Sequence, residues 1–160
     1  MGRSFSTEPV RVRVPATSAN LGPGFDALGL ALRLYDDVAA QVVDAGCRVG
    51  ITGEGAGRLP RGRRHLVVRA MDAVFDVIGA RPPGLVVSCH NRIPQARGLG
   101  SSSAAIVAGV SLARALAGEA AGQLGQDELL CLAAELEGHP DNVAPCLLGG
   151  LTIAWDQPAA

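Results

Sequence analysis

Residues 94–104 read PQARGLGSSSA, and from Ser102 to Leu116 the chain continues in small apolar residues with Gly109 as the sole breaker. A run of that kind predicts a buried helix entered directly from a glycine-rich loop. Gly98 and Gly100 let the backbone take positive φ and approach a ligand closely. Ser101, Ser102 and Ser103 then place hydroxyls and unbonded amides at a helix start. Roughly half a positive charge resides there, which makes a seat for phosphate. A serine hydroxyl at that point also suits Mg2+, which prefers oxygen ligands. The same string fits a plain glycine turn closed by a serine N-cap, so the loop by itself leaves both readings open.

Upstream, two prolines precede Gly84 to Cys89, a compact β-rich run. His65 to Ile78 places Leu66, Ala70, Ala73, Val74 and Val77 at helical spacing, and Gly79 is suited to stop that helix. Val10 to Val14 alternates valine with arginine and reads as a half-buried strand that Pro15 ends. Ala16 to Asp26 reads as a loop, Leu28 to Leu34 fits helix or strand, and Tyr35 to Val43 has a β pattern. Arg48 to Thr52 is a further strand, followed by a turn rich in glycine and arginine from Gly53 to Arg64. Downstream, Asp127 to Glu137 predicts an amphipathic helix with Asp127 as its N-cap, and Gly150 to Trp155 a strand. Strands and helices are mixed without repeats, so the class is α+β and residues 1–160 form one domain.

The chain of 160 residues is 48% hydrophobic and 18% charged, enough for one real core and too short for two ordinary domains. A net charge of −1, 3% aromatics and the lack of a basic stripe argue against nucleic acid or a membrane surface as partner. Every basic residue is arginine, so a nucleotide site of the P-loop type, which needs a lysine on the phosphates, is excluded. Cys47, Cys89, Cys131 and Cys146 lie far apart and read as buried, reduced thiols. The chain opens without a basic-then-apolar signal, and no apolar run approaches a membrane span. A cytoplasmic location is the expectation.

Three stretches, taken in order, resemble the GHMP kinases. The full string PQARGLGSSSA is similar to their phosphate-binding motif, from Pro94, Gln95, Ala96 and Arg97 through Gly98, Leu99 and Gly100 to Ser101, Ser102, Ser103 and Ala104. PATSANLGPGFDALGLAL, from Pro15 to Leu32, resembles the first motif of the homoserine kinases in that superfamily. ELEGHPDNVAPCLLGG, from Glu135 to Gly150, resembles the segment that follows their metal-binding glutamate. HLVVRAM looks like the family's segment beside the adenine, where an asparagine is more usual than His65. The resemblance covers about residues 10 to 155, by those motifs. It implies the fold of ribosomal protein S5 domain 2, a mixed sheet of four or five strands with helices on one face.

The resemblance also implies roles. Ser102 would bind Mg2+ beside the β- and γ-phosphates of ATP, with Glu135 as the carboxylate on the far side of the metal. Glu137 is an alternative, and since the two lie about 200° apart on a helix only one can face the site. Asn20 and Asp26 would recognise an amino-acid substrate, Asp26 through a charge-assisted hydrogen bond to its ammonium group. His139, Asp141 and Asn142 would join the substrate side, with Asp141 aligned to a residue that some relatives use as a general base and Asn142 beside it. L-homoserine is the substrate this pattern favours. Mevalonate and a non-catalytic S5-like binding module are the alternatives. GHMP kinases run to about twice this length, and the sequence reading finds no C-terminal kinase domain after Trp155. The face that domain would cover is then open, so self-association, for instance as a homodimer, is expected.

Overall fold

The computed structural model describes residues 5–122 and 124–155. The ends of the expected 1–160 domain, including the residues after Trp155, lie outside the described residues. Within them a five-stranded mixed sheet carries helices on one face, as the fold reading expected. In chain order come β1 (Val10–Leu21), β2 (Gly24–Val43), β3 (Gly46–Gly53), α1 (Leu66–Ile78) and β4 (Gly84–Asn91). Then follow α2 (Ser101–Ala117), a 3-10 turn (Gly118–Ala121), α3 (Gln126–Glu137), α4 (Val143–Leu148) and β5 (Leu151–Ile153). The strands lie in the order β1-β2-β4-β3, with β3 and β4 parallel across α1 and the remaining pairs antiparallel.

The period of two sorts the strands cleanly. Val14, Val38, Ala40, Val49, Ile51, Leu85, Val87 and Cys89 are buried, while Arg11, Arg13, Arg48, Ser88 and His90 face solvent. The buried face is covered by Met71, Val74 and Phe75 of α1 and by Ile106, Val110, Leu112 and Leu116 of α2. At Gly109 the two helices touch: a Cβ there would sit 2.4 Å from the carbonyl oxygen of Val67. Ser101–Ala121 is a helical run long and apolar enough to cross a membrane, contrary to the sequence reading, and most of it is buried against α1 and the sheet.

Four expectations are corrected. Pro15 does not end the first strand, because β1 is at the sheet edge, where a missing N–H breaks no ladder. The stretch from Ala16 to Asp26 is a hairpin with two register shifts, not a loop, and Leu28 to Leu34 is strand. Asp127 lies inside the first turn of α3 behind the N-cap Gly125, so it acts on the helix dipole and caps nothing. Of the cysteines only Cys89 and Cys146 are buried, their thiols pushed up to about 12 by that burial, whereas Cys131 is exposed.

Asp36 links the sheet to the glycine-rich loop. Its side chain is buried, and Oδ1 accepts from the amides of Arg92 (2.6 Å) and Ile93 (2.9 Å). Burial raises its pKa, and the two amides pull the other way. Asp36→Ala is expected to cost about 2 kcal/mol in a urea titration, since the two amides lose their acceptor.

Candidate active site

The loop before α2 is shaped by alternation: Ala96, Gly98 and Gly100 have φ of 54°, 68° and 65°, while Arg97 and Leu99 between them do not. Such alternation turns successive amides into one concavity that favours an anion. Gly100 is the N-cap of α2, and its carbonyl takes the amide of Ala104 at 2.9 Å. The amides of Ser101, Ser102 and Ser103 are thereby left without an intrahelical acceptor. Pro94 and Gln95 lead into this loop, and the Arg97 side chain folds back on the carbonyl of Ala96 at 3.1 Å.

A carboxylate meets the serines. The hydroxyls of Ser102 (2.5 Å) and Ser103 (2.9 Å) both donate to Oε1 of Glu137. Glu137 is the last residue of α3, where the helix's own carbonyls repel a negative charge. It faces the first turn of α2, where free amides attract one. Glu135 is exposed on another side of α3, in a groove shared with Cys131, Ile153 and Trp155. Of the two glutamates the sequence left open, Glu137 is the one bonded to Ser102, and Glu135 makes no bond to the serines. Among the described residues no three His, Cys, Asp or Glu side chains gather as a ready metal cage. A hard cation fits this donor set by taking a serine hydroxyl, one carboxylate and oxygens of a phosphate ligand, the usual manner of Mg2+.

Beside the serines lies a cleft of about 260 Å³ bordered by Asp36, His65, Asn91, Gln95, Ser101 and Ser102. Small-molecule sites span about 300–1,000 Å³, so this cleft suits part of a ligand. His65 is buried and caps α1, its Nδ1 accepting from the amide of Val67 at 3.3 Å. The proton is therefore on Nε2, which is buried without a partner among the described residues. Desolvation holds the imidazole pKa below its ordinary value, so the ring is a neutral donor on the wall of the cleft.

On the other side of the loop, Asn142 Oδ1 accepts from the Thr17 hydroxyl at 2.8 Å, and Thr17 also donates its amide to Leu99 (3.1 Å). Asp141 is 1% exposed and is bonded through Oδ1 to the Asn142 amide (2.9 Å) and to His139 Nδ1 (2.5 Å). Its carboxylate holds this segment together. Asn20 and Asp26 lie at the tip of the β1–β2 hairpin, both with positive φ, and Asn20 Oδ1 accepts from the Asp26 amide at 2.8 Å. The tip is three residues beyond Thr17, about 10 Å along the strand. The fold thus gathers Ser102, Ser103 and Glu137, and sets Asn142 beside Gly100. Sequence reasoning missed Thr17 and Asp36; Thr17 stood inside a quoted motif, and the one signal for Asp36 was an aspartate on the apolar side of a strand.

Residues 65–150 match the family described as GHMP kinases N terminal domain. The chain is 58% identical over 159 residues to the homoserine kinase of Streptomyces avermitilis, covering 99% of this chain and 52% of the relative. It is 54% identical over 146 residues to the homoserine kinase of Corynebacterium urealyticum, covering 91% and 47%. The chain thus spans about half the length of the relatives it matches. A solved putative homoserine kinase from Listeria monocytogenes superposes with a TM-score of 0.75 at 39% identity, covering 94% of this chain and 50% of that one. The mevalonate kinase of Methanococcus jannaschii, at 15% identity with a TM-score of 0.70 over 92% of this chain and 54% of its own, shares the fold.

Proposed function

Since the chain belongs to the GHMP kinase family, we propose that it is the ATP- and magnesium-binding half of a kinase that phosphorylates the side-chain hydroxyl of L-homoserine. The observation that carries this reading is the carboxylate of Glu137 drawn onto Ser102 and Ser103 at the mouth of an anion-binding loop. The product would be O-phospho-L-homoserine, on the route to threonine. Homoserine is favoured over mevalonate by the relatives at 54–58% identity, whereas the mevalonate kinase likeness extends to fold alone. A cytoplasmic place goes with such chemistry.

In this reading the loop from Pro94 to Ala104 receives the β- and γ-phosphates, and His65 borders the nucleoside side of the cleft. Ser102 and Glu137 would hold Mg2+, which when bound neutralises charge on the phosphates. Asn142 and His139 face the acceptor, with Asn20 and Asp26 closing over it from the hairpin. Asp141 orders its neighbours; a dedicated base is not demanded, because phosphoryl transfer has a loose transition state governed by alignment and charge. Holding two reactants in line supplies on the order of 7–11 kcal/mol of the barrier. The exposed Leu151, Ile153 and Trp155 offer a face for the domain that completes the longer relatives, or for a second copy.

The purified chain is tested for Mg2+-dependent ATP binding and for ADP release with L-homoserine or mevalonate. Magnesium-dependent binding and release stimulated by homoserine alone are expected, both lost in Ser102→Ala. Binding that ignores magnesium, or that survives unchanged in Ser102→Ala, overturns the proposal.

A further inference from the structure

Thr17 stands at a point where three parts of the site meet. Its side chain is fully buried, at a register shift in β1 where the strand leaves the regular ladder with β2. The amide released from that ladder goes instead to Leu99 of the phosphate-side loop at 3.1 Å. The hydroxyl donates to Oδ1 of Asn142 at 2.8 Å. A Cβ placed on Gly100 would come within 2.0 Å of the same hydroxyl oxygen. One side chain therefore spaces the loop that starts α2 from the segment that carries Asn142.

The direction of the Thr17 bond matters more than its existence. A carboxamide has an acceptor end and a donor end. With Oδ1 turned onto Thr17, Nδ2 must point the other way. Among the described residues no acceptor meets Nδ2, and it is not among the buried unpartnered atoms. We propose that Thr17 is a positioning residue: it locks the Asn142 carboxamide so that its NH2 group is presented as a donor on the acceptor side of the loop. In its catalytic consequence this rests on the kinase reading above, where that donor would meet an oxygen of the alcohol substrate and hold it in line. Thr17 touches no reactant and acts through Asn142 and the loop.

The chain contains three asparagines, Asn20, Asn91 and Asn142, so selective 15N-asparagine labelling resolves each side-chain amide. The Asn142 NH2 pair is expected to exchange with solvent at the rate of an exposed amide, although the residue is half-buried. In Thr17→Val its resonances should shift or broaden as the carboxamide turns, and Thr17→Ser should restore them. Homoserine-dependent turnover should fall about 10–100-fold in Thr17→Val, with the KM for ATP within about twofold, and recover in Thr17→Ser. An Asn142 NH2 protected from exchange in the wild-type chain means the bond runs the other way and overturns the proposal. So does a Thr17→Val variant with unchanged resonances and kcat. If Thr17→Val fails to fold, the wild-type exchange rate and the serine variant still decide. If the wild-type chain shows no homoserine-dependent turnover, the catalytic consequence drawn for Thr17 falls, while the amide measurement still decides its positioning role and magnesium-dependent ATP binding still decides the kinase reading.

Discussion

Glu137→Gln is expected to lower Mg2+-dependent turnover by about 10²–10³-fold, as loss of one charge-stabilising group does elsewhere, whereas Glu135→Gln should leave it within about twofold. The two residues are two positions apart on α3, and only Glu137 reaches the serines, accepting from Ser102 and Ser103 at 2.5 and 2.9 Å. Glutamine keeps the shape of Glu137 and can still accept from both hydroxyls, so the fold is retained. What it loses is the negative charge that a divalent cation requires. The check is turnover and ATP affinity measured with and without magnesium: the magnesium-dependent part of the affinity should vanish in Glu137→Gln and persist in Glu135→Gln. The opposite pattern would return the metal site to Glu135.

Gly100→Ala should have the second large effect. A Cβ at this position would lie 2.0 Å from Thr17 Oγ1 and 3.1 Å from Asn142 Oδ1, on a residue whose φ is +65°. Left-handed backbone costs a non-glycine residue about 1–2 kcal/mol. Forcing a methyl group into a filled site adds about 1–3 kcal/mol. Gly98→Ala supplies the control: φ is +68° but nothing lies within 4 Å, so the unliganded chain should lose only the backbone term. Urea titrations should therefore place Gly100→Ala below Gly98→Ala by about 1–3 kcal/mol. Turnover in Gly100→Ala should fall by about 10²-fold, because a shift of about 1 Å at the start of α2 misaligns the reacting groups.

The contrast between these two glutamates shows where sequence reasoning stops. Helical geometry says that one of Glu135 and Glu137 faces the serines, but the choice depends on how α3 is rotated against α2. That rotation is set by tertiary packing, with Leu129 and Ala133 as its buried residues. The glycine loop was legible because positive φ at Gly98 and Gly100 is a local demand that the residue type reveals. β2 was half legible: its first half pairs with β1 and β5 and its second with β1 and β4, so burial is decided by neighbours on both edges. α4 was missed because it is six residues long and contains Pro145, which is tolerated only because it lies in the first turn. Thr17 could not be singled out, since its partners Leu99 and Asn142 are 82 and 125 positions away in the chain.

The single long strand β2 also sets an order in time. Its N-terminal half, Leu28 to Leu30, gains its second neighbour only from Leu151 to Ile153, more than 120 residues later. Contacts so distant in sequence form slowly, and during synthesis they wait for β5 to emerge. The half of the sheet built from β3, β4 and the far end of β2 closes with α1 while the chain is still growing, and the cleft wall around Asp36 and His65 can form with it. The segment carrying Asp141 and Asn142, whose backbone packs on Gly29 of β2, is completed only after that half. A nascent chain halted before residue 139 would therefore hold the cleft wall around Asp36 and His65 without His139, Asp141 and Asn142.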